Sequence, residues 1–78
     1  MDIDNDKAIL AKAGNALYGE RWQTDLARDL GLSDGRRIRQ WLSGDRPIPE
    51  NVRSDLEKLL MARKGVIDDV LDDLSKSD

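Results

Sequence analysis

The chain has 78 residues with 13 Lys and Arg against 16 Asp and Glu, a net charge of −3, no Cys, no His, no Phe and only three aromatic side chains. One domain fits that length, burying only about 60% of its unfolded surface, and the missing Cys and His remove disulfides, thiolate metal sites and the commonest nucleophiles and general bases. No apolar run approaches the roughly 20 residues needed to cross a bilayer, and Met1-Asp2-Ile3-Asp4 lacks the basic start of a signal peptide, so a cytoplasmic protein is expected.

A first helix is predicted over 5–18, with Asp4 or Asn5 as cap, Ile9, Leu10, Ala13 and Leu17 on its buried side and Gly19 at its end. The second, over 20–30, places Trp22, Leu26 and Leu30 four residues apart. Small Ala27 stands beside them where another helix can approach closely, and Gly31 stops the helix. Ser33 or Asp34 caps a third helix by accepting an orphan N–H at its start. Within it Ile38, Trp41 and Leu42 repeat at i, i+3 and i+4, and Gly44 closes it. Helical spacing assigns both tryptophans to the core. Pro47-Ile48-Pro49 is a stiff connector because proline fixes φ, and Pro49 suits the first turn of a fourth helix. That helix carries Val52, Leu56, Leu59, Leu60 and Arg63 on one face.

Past Gly65 the pattern sharpens. Val66, Ile67, Val70, Leu71 and Leu74 share one face while Asp68, Asp69, Asp72 and Asp73 hold the other. Two arrangements stay open: the segment folds back as a fifth, core-completing helix, or it prolongs the fourth and buries its stripe against a second chain. Dimerisation through those five apolar residues is the preferred reading. The organisation is then a main domain over 1–64 and an acidic amphipathic helix over 65–78.

Residues 23–48 read as a helix-turn-helix with an arginine-rich outer face. At about 100° per residue, the stripe on Ile38, Trp41 and Leu42 leaves Arg36, Gln40 and Ser43 pointing away, flanked by Arg37 and Arg39. Arginine grips guanine O6 and N7 with two hydrogen bonds and glutamine does the same to adenine N6 and N7, each pair giving about 1–3 kcal/mol of discrimination. Gln23 and Thr24 stand at the start of the second helix, where free N–H groups anchor phosphate. Arg46 follows the third helix and reaches a further phosphate. The acidic total is unevenly spread: residues 1–19 sum to −1, 20–46 to +1, 47–64 to +1 and 65–78 to −4. A local positive face therefore survives around the third helix.

Gln23, Leu26, Ala27, Gly31, Leu32, Ser33 and Ile38, followed by WLSGDRPIP at 41–49, resemble the lambda-repressor-like or Xre-type helix-turn-helix family, especially its small prophage-type members. The match covers about residues 4–64. It implies an all-α bundle of four to five helices, phosphate contacts from Gln23 and Thr24, and a major-groove recognition helix within Ser33 to Ser43. One departure stands out: the step from Gly31 to Ile38 is one residue longer than is usual in the family, so Asp34 and Gly35 lengthen the turn or delay the helix. The resulting assignment gives Arg36, Arg39 and Gln40 to base edges, and Gln23, Thr24, Arg37, Ser43 and Arg46 to phosphates.

The expected function is sequence-specific binding of double-stranded DNA by a transcriptional regulator. A homodimer would occupy an inverted repeat with half-sites about 34–36 Å apart, repressing its own or a neighbouring operon by occlusion. Similarity to small phage regulators implies a phage or prophage role, including that of autoregulators beside anti-CRISPR genes. The alternative is an antitoxin or adaptor that binds protein through the acidic tail. Neither cofactor, membrane nor small-molecule substrate is expected. Asp2, Asp4 and Asp6 alternate like the opening of a calcium loop, but Lys7 stands where its glycine belongs and Ala13 where its bidentate glutamate belongs, so metal binding is not expected. An enzyme is not expected either, since no G-x-S-x-G or phosphate-cradling glycine loop accompanies the missing His and Cys.

Overall fold

The computed structural model describes residues 3–76; the expectations on Asp2 and on the last two tail residues lie outside them. Among the described residues the ordered backbone is helical throughout, in the order α1 (Ile3–Tyr18), α2 (Trp22–Asp29), α3 (Arg36–Ser43) and α4 (Glu50–Lys76). The boundaries move from those read off the pattern. α1 starts two residues before Asn5, so that Asn5 lies inside the helix rather than capping it. α2 starts at Trp22 rather than Glu20, behind an Arg21 whose side chain makes no capping bond. Gly31 closes this helix in a left-handed conformation, φ +80°, which a Cβ would disfavour. There the Leu32 N–H bonds the Ala27 carbonyl at 2.8 Å and the Gly31 N–H bonds the Arg28 carbonyl at 3.1 Å, satisfying two orphan acceptors.

The longer turn before α3 resolves into a late start. Gly35 occupies the capping position, and Asp34 Oδ1 accepts the Arg36 N–H from outside the helix at 2.9 Å. Helical periodicity then seats Ile38 and Trp41 in the core, at 0% and 3% exposure. They join Leu10, Ala13, Trp22, Leu26, Ala27, Val52 and Leu56 in one cluster. α1 packs against both α2 and α4, while α3 packs against α2. At about 1.5–3 kcal/mol for each large side chain fully withdrawn from water, this cluster is the principal stabilisation of the domain. An ion pair between Asp6 and Arg53, 3.1 Å, adds a link from α1 to α4. It is partly exposed and worth no more than about 1 kcal/mol.

One position makes the α1–α2 contact unusually close. A Cβ built on Gly14 would lie 2.2 Å from Trp22 Cε3 and 2.3 Å from Cδ2. The indole therefore lies on bare α1 backbone, and no other residue leaves room for it.

Of the two arrangements left open for the segment past Gly65, the described residues show the second, in which it prolongs the fourth helix: α4 runs through Gly65 to Lys76 without a break, and no separate fifth helix folds back. Ending a helix requires a left-handed cap and partners for the last carbonyls. Gly65 is not among the glycines with positive φ, and beyond its chain neighbours and the backbone of its own turns no atom stands within 4 Å of where its Cβ would be. Continuing costs only about 1 kcal/mol at the glycine. It is supported by the Asp72–Lys76 pair at 2.9 Å, one turn apart, with Lys76 in the last turn where a cation suits the helix dipole. The 27 residues of α4 span about 40 Å, much of the 52 Å long axis. Its face bearing Val52, Leu56 and Leu59 continues through Arg63, Ile67, Val70 and Leu74. The first residues of that face are covered by α1, whereas Val66, Ile67, Val70, Leu71 and Leu74 are 50–63% exposed.

Gly65→Ala is accordingly expected to stabilise the outer half of α4 by about 0.5–1 kcal/mol. Slower amide hydrogen exchange over Val66–Leu74 would register it; unchanged exchange would place the weak point of α4 elsewhere.

Candidate functional site

With Ile38 and Trp41 pinned in the core, α3 turns Arg36, Arg37 and Arg39 to the surface and leaves Gln40 half-buried. Arg36, Arg37, Gln40 and Arg46 line one shallow polar cleft together with Leu32, Ser33 and Asp34. Arg39 stands apart. Its guanidinium Nη1 lies 3.2 Å from where a Gly35 Cβ would be, and that point is 3.9 Å from the Gln23 carbonyl, so Arg39 crosses the turn toward the start of α2. Gln23 there is half-buried and Thr24 exposed. Because Arg21 supplies no side-chain cap, the first N–H groups of α2 remain open to an outside acceptor. Ser43, at the far end of α3, donates its hydroxyl to the Gln40 carbonyl at 3.1 Å and accepts the Asp45 N–H at 3.4 Å. Its proton is thus engaged within the turn.

Charge on this surface is not neutralised internally. The ion pairs among the described residues join Arg28 to Asp25 and Asp29, Arg53 to Asp6, and Lys76 to Asp72. None of the guanidinium groups of Arg36, Arg37, Arg39 or Arg46 takes part. Asp34, the acid that lines the same cleft, accepts the Arg36 backbone N–H. Four solvated cations on one helix and its exit form a surface suited to a polyanion, since no internal bond has to break before they engage one.

Elsewhere the concave surface includes open hollows along α4, about 300 Å³ beside Asp29, Asp55 and Lys58 and about 430 Å³ beside Ser54, Glu57 and Met61, and one tighter cavity. A cavity of about 200 Å³ lies between α1 and the start of α4, lined by Ile9, Ile48, Pro49 and Val52 with the Asp6–Arg53 pair at its rim. That is below the usual 300–1,000 Å³ of ligand pockets. Among the described residues no group of three or more Asp, Glu, His or Cys is placed to hold a metal ion. No helix there is long and apolar enough to cross a membrane.

Two features behind the site were not anticipated from sequence. Gly14 is one, and a glycine inside a helical pattern was the only signal available. The other joins three helices: the Tyr18 hydroxyl donates to Asp29 Oδ2, tying the end of α1 to the end of α2, and Arg63 of α4 places its guanidinium carbon 6.0 Å from the Tyr18 ring centroid. Burial, followed by the hydrogen bond and charge of Asp29, pushes the phenol up to about 12. A raised phenol pKa favours the protonated, folded form. Its stabilisation is therefore complete below about pH 10, the unfolded value, and lost as pH rises through about 12. As Tyr18 is the one tyrosine in the chain, absorbance at 295 nm titrates it alone. A midpoint near 10 in the folded protein would mean that the Asp29 contact does not hold the proton.

Compared with known proteins, the chain matches no family model, no curated protein and no solved structure.

Proposed function

We propose that the chain is a sequence-specific double-stranded DNA-binding regulator of the lambda-repressor-like kind, with α2, the turn and α3 acting as its helix-turn-helix. The observation that carries this reading is the set of unpaired cations around Gln40: Arg36, Arg37 and Arg46 line one cleft with it while Ile38 and Trp41 hold α3 rigidly from behind. A helix held on one face and charged on the other is what a major groove accepts. By helical angle Arg36 and Gln40 lie opposite the core stripe, and they are assigned to base edges, Gln40 from the floor of the cleft where it is half-buried. Arg37 and Arg46 at the rim of the cleft contact phosphate. Arg39 leans toward Gln23, which supports grouping it with Gln23 and Thr24 on an adjoining phosphate rather than with the base-reading pair.

Such a domain makes few contacts alone, and phosphate neutralisation by a handful of cations falls steeply with salt. Two copies on an inverted repeat double the contacts, and occlusion of a promoter is the simplest regulatory consequence, with repression of its own or a neighbouring operon in a phage or prophage setting. The exposed stripe from Val66 to Leu74 favours a second reading, an antitoxin or adaptor that docks a protein there. Selection of random duplex DNA on the purified protein at about 0.15 M salt separates them. Enrichment of an inverted repeat establishes the regulator. Weak, salt-labile retention without enrichment transfers the weight to a protein partner.

A further inference from the structure

We infer that the exposed stripe of α4 is covered by the same stripe of a second copy of this chain, with the two helices antiparallel. The inference rests on the homodimer of the reading above and adds its direction. The uncovered residues prolong a face that the fold already uses: Val52 and Leu56 bury against α1, and the same angular position continues beyond the domain through Ile67, Val70 and Leu74. Beyond Arg63 lie only about three and a half turns of helix, a length that is marginal in water without a covering surface. Ile67 and Leu74 are seven residues apart with Val70 between them, the repeat that two helices share when they pair along a seam.

Charge sets the direction. The domain-proximal part of the stripe holds Arg63 at its centre and Lys64 on its flank, whereas the distal part carries Asp68, Asp69, Asp72 and Asp73, and residues 65–78 sum to −4. A parallel pair would press Arg63 against Arg63 in the seam and bring the two acidic ends together, and like charges at such spacing destabilise. Reversing one helix sets Ile67 opposite Val70 of the partner subunit and lays Leu74 along the stem of the partner subunit's Arg63. The acidic tip of each chain then lies beside Arg63 and Lys64 of the other. The Asp72–Lys76 pair is exposed on both sides and does not block this exchange. The two-fold axis crosses α4 between Ile67 and Val70, so the two α3 helices lie at opposite ends and the length of α4 sets their separation.

The absence of cysteine allows a direct test on the full chain by oxidative cross-linking of single-cysteine variants, without DNA. In the antiparallel pair two copies of position 74 lie about 16 Å apart along the helices, beyond the roughly 7 Å that a disulfide tolerates between Cα atoms. Leu74→Cys alone is therefore expected not to cross-link, whereas Leu74→Cys mixed with Arg63→Cys yields the mixed dimer. Ile67→Cys mixed with Val70→Cys provides a second pair if the loss of Leu74 weakens association. Self-cross-linking of Leu74→Cys without the mixed product overturns the antiparallel direction but leaves a dimer. A monomeric mass for the unaltered chain at about 100 μM by sedimentation overturns the pairing itself. Neither result bears on whether duplex DNA is bound, which the selection reads separately.

Discussion

Gly14→Ala is expected to lower the melting temperature by about 8–16 °C, although alanine is the better helix former. The substitution improves local propensity by about 1 kcal/mol. Against this stands a methyl group 2.2 Å from Trp22 Cε3 and 2.3 Å from Cδ2, a distance at which something must move. The obstacle is a flat, rigid ring 5% exposed, not the free end of a flexible chain, so the clash resolves by shifting α2 away from α1. Overpacking of this kind costs about 3 kcal/mol at the upper end of its usual range, leaving a net loss of about 2 kcal/mol, at 4–8 °C each for a domain this small. Trp22 is the first residue of α2, so a displaced indole also moves Gln23 and Thr24 beside it. A thermal melt followed by circular dichroism and tryptophan fluorescence checks both, and an unchanged melting temperature would mean that α1 and α2 can separate without cost. The opposite sign expected for Gly65→Ala makes the pair a control for helix propensity.

Arg36→Ala is expected to reduce discrimination between the selected duplex and a scrambled one by about tenfold to a hundredfold, equivalent to about 1–3 kcal/mol for a lost bidentate base contact. Stability should stay within about 0.5 kcal/mol, as for other exposed substitutions, because the Arg36 guanidinium has no carboxylate partner among the described residues. Arg37→Ala and Arg46→Ala are expected to behave differently. Each should weaken binding to all duplexes alike and lower the slope of log affinity against log salt by about one. Arg39→Ala belongs with that second group, since its guanidinium lies beside Gly35 and near the Gln23 carbonyl at the start of α2. Titrations of both duplexes at several salt concentrations distinguish the groups. If Arg37→Ala relaxes base preference while Arg36→Ala leaves it intact, α3 is rotated by about one residue relative to the assignment, and the fold stands.

Arg36 and Gln40 could be picked out without a structure, because the stripe on Ile38, Trp41 and Leu42 specifies which direction is outward on a helix of known pitch. That the cleft around them includes Arg46 but not Arg39 could not. Arg39 is turned away by Gly35, whose missing side chain leaves a path across the turn, and that path exists only once α3 starts at Arg36. The most specific pieces of the family resemblance fall within residues 23–49, and the functional reading is carried by the unpaired cations of α3 and Arg46.

Periodicity along the chain was enough to determine that the protein is all-α, how its elements are ordered, and most of its core, although Ile9, Leu30, Leu42, Leu59 and Leu60 are only half-buried and Arg63 is exposed. Leu10, Ala13, Leu17, Trp22, Leu26, Ala27, Ile38, Trp41, Val52 and Leu56, all buried, each have at least one apolar neighbour three or four positions away. Such patterns are local, and a helix expresses them whatever surrounds it. Tertiary structure alone decided the rest. The bare backbone at Gly14 under Trp22, the Tyr18–Asp29–Arg63 junction of three helices, and the passage of α4 through Gly65 each depend on what one helix meets, or fails to meet, on another. At Gly65 continuing the helix costs about 1 kcal/mol relative to alanine, and no neighbouring element packs at that position to cap the chain there.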